Sequence, residues 1–257
     1  MDLLYILGSG SFEGDVELRY SLRSIAANCK GYDRIFLCGC CPEWIAKPGA
    51  DPRHPLIYLP CDDPYDCTHK NMMHKILHAC HNSDISDDFV MQGDDHFYVK
   101  PYDFGKIQPY EKGDLPTCFK QNEIAPNYRT SLMDTREWLI RNGLPHRNGS
   151  QHCGQPFRKS LLLEHEKDLF EPAFKFPYGL ESSSIMAALL VHEGIYTYIY
   201  RHDCKFSHFD GEAGLLERIG EDFCFSIYNR AFDFGLKIIL QKWFPNPSPW
   251  ETTDRTD

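Results

Sequence analysis

No stretch of the chain approaches the roughly 18 consecutive apolar residues of a membrane span, which leaves no candidate transmembrane helix. Lysine and arginine never gather into a run, so the sequence has no basic arm or tail. The net charge of −10 argues against a general nucleic-acid-coating surface, though not against a local basic cleft. No secretory leader is expected from the first residues: an acid stands at position 2, and only five apolar residues, Leu3–Leu7, follow it. Eleven cysteines without such a leader lead us to expect a reducing cytoplasm and free thiols. Cys38, Cys40 and Cys41 cluster, but no second cluster has zinc-finger spacing. Most cysteines should therefore act as small buried hydrophobes.

What is present is an ordinary globular composition: 42% hydrophobic and 25% charged over 257 residues, ample for a buried core. Leu3–Leu7 reads as a strand, and Glu17–Cys29 as a helix with Leu18, Leu22 and Ile25 on one face. Strands over Arg34–Cys38 and Leu56–Leu59, a helix over Lys70–Cys80 and a strand over Asp88–Gln92 follow. This β-α-β-β-α-β rhythm predicts an α/β fold, with a mostly parallel central sheet flanked by helices and binding sites at the strand C-termini. The second half is less regular. Asp134 reads as the N-cap of a helix through Arg141, and Pro156 as the first turn of a helix through about Asp168. Ser182–His192 is expected to be helical and Tyr196–Tyr200 a strand. Phe223–Phe244 is expected to form a helix that docks across the core, or else touches a membrane surface. No linker, repeat or low-complexity tract divides the chain, so one domain is expected.

Asp94-Asp95-His96 is the most informative segment, lying between the apolar runs Phe89-Val90-Met91 and Phe97-Tyr98-Val99. A strand that ends in two acids and an imidazole carries three potential metal ligands to a sheet edge. Hard divalent cations prefer carboxylate oxygen, and imidazole adds affinity for manganese-like ions. Such a cation would neutralise a diphosphate and stabilise it as a leaving group. The same residues also suit a plain strand-to-turn junction, since Gly93-Asp94-Asp95 is good turn chemistry.

Other candidates are weaker alone. Lys70-Asn71 opens a helix, where a positive charge and free N–H groups favour phosphate, although a solvated Lys is equally ordinary there. His74, His78 and His81 fall near one stripe of that helix, a metal site or, more ordinarily, a polar face. Arg19 and Arg23, one turn apart, can reach a nucleotide or pair with acids. Gly8-Ser9-Gly10-Ser11 permits close backbone approach to a ligand, but it is not a P-loop. Glu181 precedes a helix and can cap it or take a proton from an attacking hydroxyl. His208 lies between aromatics and reads as a packed histidine or a ligand, and His152 can contact phosphate or acceptor.

Together these residues resemble the GT-A nucleotide-sugar glycosyltransferases of bacterial and bacteriophage type. Asp94-Asp95-His96 is similar to the family's D-x-D or D-x-H motif, and His208-Phe209-Asp210-Gly211 to its C-terminal H-F-x-G-like context. Leu180-Glu181-Ser182 is similar to the acceptor motif x-E-D, with Ser182 where Asp is usual. The resemblance implies a single GT-A-like (Rossmann-like) domain over 1–257. Residues 1–105 would form the nucleotide-sugar-binding half, 106–220 the acceptor half and 221–257 a C-terminal helical extension. It implies Mn²⁺ or Mg²⁺ held by Asp95, His96 and His208 on the diphosphate of a nucleoside-diphosphate sugar. Gly8, Ser9, Gly10, Arg19, Arg23, Lys70, Asn71, Asp94 and His152 would surround the donor, with Asp94 and Glu181 as catalytic residues of a hexosyltransferase-like enzyme. The implied acceptor is a glycan or glycolipid hydroxyl, or a hydroxymethylated base in phage DNA. A second resemblance runs through Glu17-Leu18-Arg19-Tyr20-Ser21-Leu22-Arg23-Ser24-Ile25 and Pro42-Glu43-Trp44-Ile45, which look like the conserved block of Stealth sugar-1-phosphate transferases. The long insert expected between those blocks is missing. A non-catalytic sugar-nucleotide binder with the same fold is the reading from another class.

Overall fold

The computed structural model describes residues 1–8, 14–46, 53–115, 125–228 and 231–252. Its first half runs β1 (Asp2–Leu7), α1 (Val16–Asn28), β2 (Cys29–Lys30), β3 (Ile35–Gly39), β4 (Leu56–Pro60), α2 (Thr68–Asn82) and β5 (Asp88–Gln92). β6 (Phe97–Tyr98), β7 (Tyr102–Asp103), β8 (Tyr110–Glu111), α3 (Pro126–Arg141), β9 (Gln155–Arg158) and α4 (Lys159–Glu164) follow. Two short helical turns, Glu166–Phe170 and Glu171–Lys175, lead to α5 (Ser182–His192). The chain continues through β10 (Ile199–Tyr200), β11 (Lys205–Phe206), α6 (Glu212–Ile219), β12 (Cys224–Ile227) and α7 (Phe234–Trp243).

The main sheet has the order β4-β3-β1-β5-β9, with the first four strands parallel and β9 antiparallel to β5. Parallel strands are covered on both faces, which is why β1, β3 and β5 read as unbroken apolar runs. Alternate residues feed two cores. Leu4, Phe36, Phe89 and Met91 pack with Met73 and Ile76 of α2 and Ile185 and Leu189 of α5. Leu3, Tyr5, Leu37 and Val90 pack on the other face with Leu18, Leu22 and Ile25 of α1. α5 is buried continuously from Ser182 to Leu190, and its stretch Ile185–Leu190 is apolar all round, as burial on every side requires. A smaller sheet, β11-β12-β6, takes the chain directly after β5.

Four expectations about the second half are corrected. α3 begins at Pro126, a good first-turn residue, and Asp134 lies inside it rather than capping it. Pro156 stands in β9, where it pairs opposite Val90; β9 is the sheet's edge strand, and there a residue without an N–H is tolerated. The strand expected over Tyr196–Tyr200 shrinks to Ile199–Tyr200. Phe223–Phe244 divides into β12 and α7, because the start of this apolar run completes the smaller sheet instead of covering it.

Asp2 anchors the N-terminal edge of the main sheet. Its fully buried carboxylate accepts two bonds from Arg34, at 3.2 and 2.8 Å, and two from Ser86 N and Oγ, both 2.8 Å. Burial alone would raise its pKa, but Arg34 and then Ser86 pull it below the ordinary carboxylate value. A depressed folded-state pKa gives stability that is present above the unfolded value and lost as pH falls through the folded one. Chemical denaturation below pH 4 should therefore show a loss of stability with acid that Asp2→Asn flattens.

Candidate functional site

β5 ends at Gln92, and the chain turns through Gly93-Asp94-Asp95 before His96 leads into β6. The turn thus stands where the two sheets meet. Ser21 Oγ of α1 donates to His96 O at 2.8 Å and fixes the turn from below. From the smaller sheet, Ser226 Oγ of β12 donates to Asp95 Oδ2 at 2.6 Å, and Lys205 Nζ of β11 lies 3.4 Å from the same oxygen. The other oxygen, Oδ1, is left 3.7 Å from His96 Nε2.

Gly93 makes this pairing possible. A Cβ added there would lie 2.8 Å from both Asp95 Oδ1 and His96 Nε2, so the two donors face one small space that a methyl group would fill. Gln92 Oε1, 3.2 Å from His96 Nδ1, can accept the proton of the tautomer that leaves the Nε2 lone pair free. Gly93 N–H, at 3.1 Å, serves the other tautomer. Burial pushes the His96 pKa down to about 4, so the ring is neutral near pH 7, the form that ligates a metal.

Acidic groups crowd the turn. Burial, then the charges of Asp95 and Glu17, push Asp94 up to about 7. Burial, then Asp95 and Asp15, push Glu17 of α1 up to about 7. Burial opposes the charge on Asp95 too, but Lys205, His96, His152 and Ser226 together hold its pKa below the carboxylate range. A divalent cation would relieve this repulsion. Carboxylate oxygen beside a neutral imidazole, with one carboxylate oxygen fixed from behind, is a donor set suited to Mn²⁺ or Mg²⁺. It is an open corner and not a closed cage, because among the described residues no three His, Cys, Asp or Glu side chains are gathered for a metal. If Asp95 and His96 hold Mn²⁺, Gly93→Ala should weaken its binding by about 10–100-fold, read by titration calorimetry.

His152, just ahead of β9, joins the cluster. Its ring centroid is 6.5 Å from that of His96, at 90°. Asp203 orients it through Nδ1 at 2.7 Å and the backbone N at 3.0 Å, and Lys112 Nζ holds the same Asp203 at 2.6 Å. Sequence reading missed Asp203, Lys205, Ser226, Lys112 and Gln92. β11 is only two residues long and β12 only four, too short to show a periodic pattern.

The remaining predicted residues are scattered. Ser9 and Gly10 lie outside the described residues. Gly8 directly follows β1, near Asp63. Arg23 is buried and forked onto Glu251, at 2.8 and 2.6 Å, with Gln241 at 2.9 Å, so it ties α1 to the C-terminal segment. Arg19 lies over the Trp44 ring and 3.8 Å from Glu251. Asn71 closes the loop before α2 through both Tyr65 N and Tyr65 O. Lys70, in the first turn of α2, packs against Gly179, whose φ of +66° and tight contacts leave no room for a side chain. That contact brings the N-terminus of α2 to that of α5, where Glu181 caps the helix by accepting from Ser183 N (3.4 Å) and Ser184 N (2.6 Å). His208 does not join Asp95 and His96 in a three-ligand set. It is exposed beyond β11, its ring beside Ser207, in a turn pinned where Arg218 holds His208 O and Asp210.

This architecture is similar to that of LgtC. An active-site mutant of LgtC matches with a TM-score of 0.51 at 10% sequence identity, over 100% of this chain and 98% of that one. The fold is of the GT-A type. The galactosyltransferase LgtC in complex with donor and acceptor sugar analogues follows at a TM-score of 0.48 and 11% identity, over 100% and 98% of the two chains. No family model matches the sequence, and no curated protein matches it significantly. No helix among the described residues is long and apolar enough to cross a membrane.

Proposed function

We propose that this chain is a metal-dependent glycosyltransferase that moves a hexosyl group from a nucleoside-diphosphate sugar to a hydroxyl of a glycan or glycolipid. The observation that carries the reading is the convergence of Asp95 Oδ1 and His96 Nε2 on Gly93, at the C-terminal end of a central parallel strand. Ligands of open α/β sheets bind at such strand ends. A Mn²⁺ or Mg²⁺ ion held there by Asp95 and His96 would offset the charge that builds on the departing diphosphate.

Residues beside the ion and on the neighbouring helix ends would supply the rest. Lys205, 3.4 Å from Asp95 Oδ2, adds a second positive charge beside the leaving group. His152, with its tautomer fixed by Asp203, offers Nε2 to the donor. Lys70 at the N-terminus of α2 would bring a positive charge to the donor's phosphates. Glu181, across Gly179 from that turn, meets the acceptor hydroxyl and takes its proton. Glu181→Gln keeps an oxygen to cap α5, so the fold should hold while transfer falls by about 10²-fold. Transfer at the wild-type rate would remove Glu181 from the role of base.

The test is a panel of sugar nucleotides incubated with Mn²⁺ and candidate glycan acceptors, with products separated by mass. Release of nucleoside diphosphate with sugar on the acceptor supports the reading. Release of nucleoside monophosphate would mean sugar-1-phosphate transfer instead. Thermal stabilisation by a sugar nucleotide without turnover under any divalent cation would mean a binding protein.

A further inference from the structure

His74, His78 and His81 of α2 line a groove of about 560 Å³. None of Asp94, Asp95 and His96 lines it. The opposite wall comes from the turns before α5, through Glu166, Glu171, Phe174 and Lys175. Its volume lies within the range of about 300–1,000 Å³ typical of small-ligand sites.

Its chemistry narrows the occupant. The histidine stripe is not a metal site among the described residues: His81 Nε2 is bonded to Glu166 at 2.8 Å, and His78 Nδ1 to Asn82 at 3.3 Å. Two lysines, Lys167 and Lys175, balance two glutamates, Glu166 and Glu171, and no arginine lines the groove. Such a balance gives no preference for a phosphate or another charged ligand. The apolar part is an aromatic wall. Tyr65 stacks on Phe174 with centroids 5.1 Å apart and meets His74 edge-on at 6.1 Å. Asn71 bonds both the N and the O of Tyr65, so the wall is held in place without a ligand.

An uncharged ligand with an apolar face and many hydroxyls suits these walls. A pyranose ring can lay its C–H face on the aromatic wall, while its hydroxyls reach the His78, Asn82 and Glu171 side chains, which include both donors and acceptors. The geometry points to a second, non-catalytic binding groove for a neutral oligosaccharide along the outer face of α2. This goes beyond the proposed transfer reaction, since binding there requires neither donor nor metal.

The test uses the full chain on an array of neutral, sialylated and phosphorylated oligosaccharides, without sugar nucleotide and with EDTA. Bound glycans are then titrated by ligand-observed NMR. A neutral oligosaccharide should bind with a Kd on the order of 1 mM or tighter. The double variant His78→Ala/Glu171→Ala should weaken it at least about tenfold with an unchanged unfolding midpoint, and Tyr65→Leu should do the same by removing the aromatic wall. Failure of every neutral oligosaccharide to bind, binding confined to sialylated or phosphorylated ones, or wild-type affinity in the double variant would each overturn the assignment.

Discussion

Asp95→Asn is expected to reduce Mn²⁺-dependent sugar-nucleotide turnover by about 10²–10³-fold while leaving the protein folded. Asn has nearly the shape of Asp, and its amide oxygen can still accept from Ser226, which now donates to Asp95 Oδ2 at 2.6 Å. What it loses is the negative charge shared between Lys205 on one oxygen and the His96 side on the other. A cation held by a neutral amide and a neutral imidazole binds more weakly and stabilises the leaving diphosphate less. The comparison is kcat with saturating donor at matched Mn²⁺, together with the urea midpoint. Unchanged kcat would remove Asp95 from the metal site.

Asp63→Leu should cost about 3 kcal/mol of stability, the largest effect expected outside the site. Lys75 is only 1% exposed, yet it carries an ammonium. That group donates to Leu7 O at 2.6 Å and to Asp63, at the C-terminal ends of the central strands. Removing Asp63 leaves a buried positive charge with one carbonyl for compensation. Replacing both partners removes the charge itself, so Lys75→Met/Asp63→Leu should recover most of the loss. Urea unfolding of the two single variants and the double variant measures the coupling. Additive losses would show that the pair is not an interacting unit.

The first half of the fold could be read from the sequence because local and global signals agree there. β5 occupies Asp88–Gln92, as its apolar run predicts, and α1 shows its stripe at Leu18, Leu22 and Ile25. Pro156 misled because its place in the sheet depends on β9 being an edge strand, a property of the assembled fold and not of nearby sequence. Lys75 was invisible for a related reason: a lysine inside an amphipathic helix looks solvated until its partners, Leu7 and Asp63, are brought over it. In the candidate site, Asp94-Asp95-His96 stood out because three donors fall together in sequence. Their supports did not, since Ser226 comes from 131 residues away and Lys205 from 110. Arg23 resembled a ligand contact, yet Glu251, far along the chain, claims its guanidinium.

We propose that the turn after β5 holds a divalent cation for a nucleoside diphosphate. Electron paramagnetic resonance of Mn²⁺ titrated into the protein with UDP, and into Asp95→Asn, tests it most directly. One bound Mn²⁺ per wild-type chain is expected in the presence of UDP, with much weaker binding in the variant. A free-Mn²⁺ signal that the wild-type protein leaves unchanged, with UDP or any other nucleoside diphosphate present, would contradict it.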